Sequence, residues 1–143
     1  MDVATTRARL ERARVGELAT VRADGTPHVV PVCFALVDET VVTAVDAKPK
    51  STGELRRLDN VRAHPHASLL VHEYTDDDWS RLWWVRVDGF AAVLTDGPDH
   101  ATAIAALVAK YPQYRDAPPA GAVIALTVTR QASWEWPPEP NAG

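Results

Sequence analysis

The order of apolar and polar positions divides the chain into short segments of two kinds. Residues 5–14, rich in Ala, Leu and Arg, predict a short helix with Leu10 on its apolar side. Residues 15–22 suit a strand, and Asp24-Gly25 after it is a strong hairpin-turn signal. Residues 28–37 are nearly all apolar, which predicts a strand buried on both faces. Pro31 within it has no N–H for a ladder, so that strand should lie at an edge or carry a bulge. Residues 40–45 form a β-branched run, and the three strands together read as an antiparallel meander.

A helix over 52–64 has legible ends. Ser51-Thr52-Gly53-Glu54 has the pattern of a capping box, Leu55, Leu58 and Val61 form one apolar stripe, and Pro65 stops the helix. Residues 67–74 alternate as a strand, with Leu69 and Val71 opposed to Ser68, Leu70 and His72. Hydrophobicity resumes at Leu82 and runs to Leu94, where Gly89 predicts a bulge or bend. A second long helix is expected over 95–111, with Asp96 as cap, Pro98 in the first turn, and Ala101, Ile104, Ala105 and Val108 as its apolar face. Residues 123–128 read as the last strand, followed by a loosely ordered tail from about residue 134. Strands outnumber helices, with two helices inserted among them, so the class is an α+β barrel in one domain over 1–143.

Composition narrows the function. At 143 residues with 46% apolar content, the chain suits a single globular domain with a real core. Its net charge of −4 argues against a nucleic-acid binder. No segment has the roughly 20 consecutive apolar residues of a membrane span, and the N-terminal stretch lacks a signal peptide's apolar region. The single cysteine, Cys33, cannot form an internal disulfide, which fits a cytoplasmic location. Residues 48–62 nevertheless hold Lys48, Lys50, Arg56, Arg57 and Arg62 against Glu54 and Asp59. A local cationic site on an acidic protein suits a small anionic ligand.

Lys48-Pro49-Lys50-Ser51 enters the 52–64 helix, whose N-terminus offers free N–H groups and the positive end of the macrodipole. Lys48 and Lys50 add cationic donors, and Ser51 and Thr52 add hydroxyls, a set suited to phosphate. A solvated lysine turn with an ordinary cap is the competing reading of the same residues.

The stretch from Val41 to Val71, with the K-P-K-S turn, Leu55-Arg56-Arg57 and His64-Pro65-His66-Ala67-Ser68-Leu69-Leu70-Val71, resembles the pyridoxamine-phosphate-oxidase-like flavin-binding superfamily. Within that superfamily, residues 78–89 (DWSRLWWVRVDG) are similar to a segment of actinobacterial oxidoreductases that use the deazaflavin coenzyme F420. The resemblance covers roughly residues 10–130. It implies a split β-barrel of about six antiparallel strands with two to three helices, and a homodimer with cofactor sites at the subunit interface. By position, it implies that Lys48, Lys50 and Ser51 contact the cofactor phosphate, with Thr52 beside them. It sets Pro31, Val32, Thr43 and Ala44 along the ring, and brings Trp79, Arg81 and Trp83 from the partner subunit. Arg56 and Arg57 suit the cofactor's acidic tail, or else a solvated helix face. The tail Ser133-Trp134-Glu135-Trp136-Pro137-Pro138 lacks the family's Arg-Leu-x-Pro element that helps hold substrate, which argues against pyridoxamine phosphate as the substrate and favours the deazaflavin branch.

The expectation is therefore an F420-dependent oxidoreductase that passes hydride to an unsaturated or heteroaromatic small molecule. An FMN-binding relative, or a carrier or sensor without turnover, is the alternative. His64, His66, His72 and Glu73 are weighed as metal ligands and set aside, because His64 and His66 flank a helix stop. Cys33, in an apolar strand, is expected to be buried, and Trp83 and Trp84 to face opposite sides of their strand. Trp134 and Trp136 share a face and are expected to pack the tail onto the body.

Overall fold

The computed structural model describes residues 1–45 and 52–137, apart from the side chains of 52–55. Helix α1 (Val3–Arg12) precedes strands β1 (Gly16–Val21), β2 (Pro27–Val32), β3 (Ala35–Val37) and β4 (Thr40–Ala44). Helix α2 (Thr52–Ala63), strands β5 (His66–Glu73) and β6 (Trp83–Leu94), helices α3 (Gly97–Lys110) and α4 (Gln113–Asp116), and strand β7 (Val123–Glu135) complete the chain. A single 3-10 turn, Trp79–Arg81, leads into β6.

The seven strands form one antiparallel sheet in the order β2-β1-β5-β6-β7-β4-β3. Its two edges are strands that follow each other in the chain, so the curled sheet is a split β-barrel. Side chains alternate between its faces. Val41, Ile124 and Leu126 point to a core shared with Leu10 of α1 and with Leu58 and Val61 of α2. Val42 and Val123 point the other way, to a second cluster with Ala103 and Leu107 of α3 and with Tyr111. The Tyr111 hydroxyl accepts from the Phe34 amide at 3.0 Å and lies 3.0 Å from the Arg14 carbonyl, pinning the end of α3 to the β2–β3 link.

Local signals for turns hold. Gly25 takes φ +87° in the β1–β2 hairpin, where its amide donates to the Arg22 carbonyl at 2.8 Å. Pro31 lies on an edge strand, as its missing N–H requires. The β6–β7 register shifts between Asp88 and Gly89. A Cβ on Gly89 would stand 1.9 Å from the Thr127 carbonyl oxygen, so no other residue fits there undisturbed.

Five expectations are corrected. The apolar run over 28–37 is not one strand buried on both faces: it breaks at Cys33-Phe34 into β2 and β3, and Val29, Pro31 and Cys33 are exposed. The cause is position, since β2 has a neighbour on one side only. Cys33 is therefore an exposed thiol rather than a buried one, while Phe34 turns into the core. The meander is also interrupted, because β4 pairs with β3 and β7 rather than with β2.

Helix α3 buries Ala103 and Leu107, whereas Ala101 and Ala105 are exposed. Leu107 and the following Tyr111 carry most of the apolar area, and they orient the helix against the small alanines. Finally, β7 continues to Glu135, because β6 offers it a ladder as far as Trp83. Trp134 and Glu135 thus belong to the sheet rather than to a loose tail.

Candidate functional site

Two groups of side chains stand out, at opposite parts of the sheet. The first lies between α2 and the β1–β2 hairpin. Arg56 is exposed and Arg57 half-buried on the first turns of α2, and both lie close enough to His28 of β2 to act on its charge. His28 is held below its ordinary pKa of 6.5, first by burial and then by the positive fields of Arg22, Arg57 and Arg56. Its Nδ1 is buried without a hydrogen-bond partner. The positive fields of Arg22, Arg57 and Arg56 at His28 make an electrostatic setting that favours an anion. Helix α2 is held in place by Asn60, whose amide donates to Thr20 Oγ1 of β1 at 3.1 Å inside the core.

Beside this cluster runs the open edge of β2, where Pro31 is exposed and Val32 buried. Thr43 of β4 is buried, and its hydroxyl donates to the Cys33 carbonyl at 2.6 Å, clasping β4 to the β2–β3 link. Ala44 is half-buried against the second core cluster. Of the four residues set along the ring, only Pro31 is exposed: Val32 and Thr43 are buried, and Val32 and Ala44 pack in different core clusters. Lys48, Lys50 and Ser51 lie outside the described residues, as does the side chain of Thr52, the first residue of α2.

The second group is a cleft of about 470 Å³ between α1 and the paired ends of β6 and β7. Register sets Trp83 of β6 between Glu73 on β5 and Glu135 on β7. The Trp83 indole donates to Glu73 Oε2 at 2.9 Å, and Arg81 binds the other oxygen of that carboxylate at 2.9 Å. Arg9 of α1 pairs with Glu135 at 3.0 Å and lies over the Trp83 ring, 5.0 Å from its centroid. Trp79 and Trp136 meet at 6.4 Å, nearly perpendicular, and Trp134 stands 6.4 Å from Trp136 on its other side.

The fold therefore brings Trp79, Arg81 and Trp83 to one corner, within a single chain, and sets Pro31, Val32, Thr43, Ala44 and Arg56 elsewhere. Sequence reasoning missed His28 and Arg22 at the first group, and Arg9, Arg12 and Glu135 at the second. Only strand register and helix docking connect them, and neither is written in spacing along the chain. Among the described residues no three His, Cys, Asp or Glu side chains are grouped to hold a metal, and no helix is long and apolar enough to cross a membrane. His66 instead packs on Phe90 at 4.9 Å between ring centroids.

The family model for pyridoxamine 5'-phosphate oxidase matches residues 3–135, and the chain belongs to that family. No curated protein matches the sequence. Among solved structures, a conserved hypothetical protein from Mycobacterium tuberculosis is 21% identical with a TM-score of 0.77, over 100% of this chain and 92% of that one. A FAD-binding protein from Mesorhizobium loti is 21% identical with a TM-score of 0.70, over 93% and 94% of the two chains. The heme storage protein HutZ from Vibrio cholerae is 16% identical with a TM-score of 0.71, over 93% of each chain. At such identities the likeness is one of fold.

Proposed function

We propose that the protein is an F420-dependent oxidoreductase that transfers hydride between the reduced deazaflavin and an unsaturated or heteroaromatic small molecule. The observation that supports a cofactor site is the positive field that Arg22, Arg57 and Arg56 set up at His28, beside α2 and the exposed edge of β2. The residues fit a phosphate-bearing ring cofactor. The buried Nδ1 of His28 has no hydrogen-bond partner and feels the positive fields of three arginines, and among the described residues no strand pairs with the outer side of β2. A deazaflavin, when bound, supplies a two-electron hydride.

The chain's own residues then bind and position. Lys48, Lys50, Ser51 and Thr52 hold the phosphate at the N-terminus of α2, and Arg56 takes the acidic tail. Pro31 and the backbone of Val32, Thr43 and Ala44 lie beside the ring. The departure of the C-terminal segment from an Arg-Leu-x-Pro element, together with Asp78–Gly89, favours F420 over pyridoxamine phosphate chemistry.

The working form is a homodimer in the cytoplasm. In support, the outward positions of edge strand β2 are apolar, and Val29 is 60% exposed. An apolar edge of this kind marks an interaction surface. Trp79, Arg81 and Trp83 are taken up within their own chain, Arg81 and Trp83 by Glu73 and Trp79 by Trp136, and form no part of this cofactor site.

FMN in place of F420 is the second reading. The likeness to the FAD-binding protein of Mesorhizobium loti favours it, and turnover is not required by it. Titration of the purified protein with each cofactor, followed by tryptophan fluorescence, separates the two. Saturable quenching by F420 but not by FMN is expected. Quenching by FMN alone replaces the first reading with the second, and quenching by neither removes both.

A further inference from the structure

We propose that the cleft between α1 and the ends of β6 and β7 binds a small aromatic monoanion, of which an aromatic carboxylate is the simplest member. The inference rests on side chains of one chain and does not depend on the cofactor reading. Its volume of about 470 Å³ is that of a small-molecule pocket. Trp83 and Trp136 both line it, and Trp136 is 43% exposed, a large indole left in contact with water.

The charge count gives the sign of the ligand. Three guanidinium groups (Arg9, Arg12 and Arg81) and two carboxylates (Glu73 and Glu135) line the cleft, and the N-terminal ammonium stands 3.5 Å from Glu135, so the cleft carries a positive excess. Both carboxylates are committed: Glu73 to Arg81 and the Trp83 indole, Glu135 to Arg9 and the N-terminal ammonium. Arg12, exposed at the end of α1, has no carboxylate within ion-pair distance among the described residues. One unneutralised guanidinium beside fixed indoles recognises one negative charge on a flat ring, through a two-point contact to the anion and stacking on the aromatic walls. A dianion such as a phosphate monoester would require a second free cation, which the committed arginines do not supply.

The test is calorimetric titration of the cofactor-free protein with 2-naphthoate and with its neutral counterpart 2-naphthamide. Binding of 2-naphthoate, with 2-naphthamide about tenfold weaker, is expected from one charge-assisted contact. Arg12→Ala should weaken 2-naphthoate about tenfold and leave 2-naphthamide and the F420 titration unchanged, while Trp136→Ala should weaken both naphthalenes. Equal affinity of the two ligands, indifference to Arg12→Ala, or no binding of 2-naphthoate up to millimolar concentration would each overturn the proposal. Circular dichroism of both variants verifies that the fold is intact. Failure here leaves the F420 titration untouched, so the two readings stand or fall separately.

Discussion

The Asn60 side chain donates to the Thr20 hydroxyl at 3.1 Å, and the two residues are only 6% and 2% exposed. This bond, together with the packing of Leu58 and Val61, sets how α2 lies on β1 and so where Arg56 stands. A buried hydroxyl stripped of its partner costs about 1–3 kcal/mol. Asn60→Ala should therefore lower the unfolding free energy from urea titration by that amount, and weaken F420 as α2 loses its anchor. Paired removal in Asn60→Leu with Thr20→Val should restore stability more than cofactor affinity.

Gly89 meets the Thr127 carbonyl across the β6–β7 bulge, with 1.9 Å available between a Cβ and that oxygen. Backbone occupies the space, so no rotamer relieves the clash. Gly89→Ala is expected to destabilise by about 3 kcal/mol, visible as a fall in thermal midpoint of more than 6 °C.

His28 gives the protein a pH dependence of known sign. Burial and nearby arginines lower its pKa in the folded chain from 6.5, so the unfolded chain takes up a proton first. Stability therefore falls as pH drops below about 6.5 toward the folded value, and is unaffected by this group above it. A bound phosphate opposes the arginines and should raise the His28 pKa. Proton NMR of the His28 ring, with and without F420, is expected to show that upward shift.

Lys110 carries a second pH effect. Its Nζ lies 4.0 Å from the centroid of the Phe34 ring, and burial, then Arg14, lowers its pKa from 10.5 to about 8. The folded chain thus releases this proton before the unfolded chain does. The cost of holding the charge is complete below pH 8 and fades between pH 8 and 10.5. Lys110→Met should raise the thermal midpoint at pH 7, and the gain over wild type should shrink as pH approaches 10.5.

Features that depend on one or two residues were legible in the sequence. Asp24-Gly25 marks a hairpin, Pro31 an edge, and Gly89 a bulge, because each satisfies a local steric or hydrogen-bonding demand. Burial was legible only where a strand has neighbours on both sides. The run 28–37 looks like a core strand because apolarity does not distinguish a buried face from one left open at an edge. In α3 the alternation of alanines hid the face that Leu107 decides. The site divided in the same way. Lys48 to Thr52 form a contiguous motif, whereas Glu73, Trp83 and Glu135 come together only through the β5–β6–β7 register, and His28 reaches Arg56 only through the docking of α2.

The central claim is that the entry to α2 grips the phosphate of a deazaflavin. It is tested most directly by the F420 dissociation constant of Lys50→Ala beside that of wild type, with thermal midpoints as the control. Loss of one cationic phosphate contact predicts at least a tenfold weaker constant at an unchanged midpoint, the loss shrinking as salt rises. An unchanged constant would remove Lys50 from the phosphate site and contradict the account.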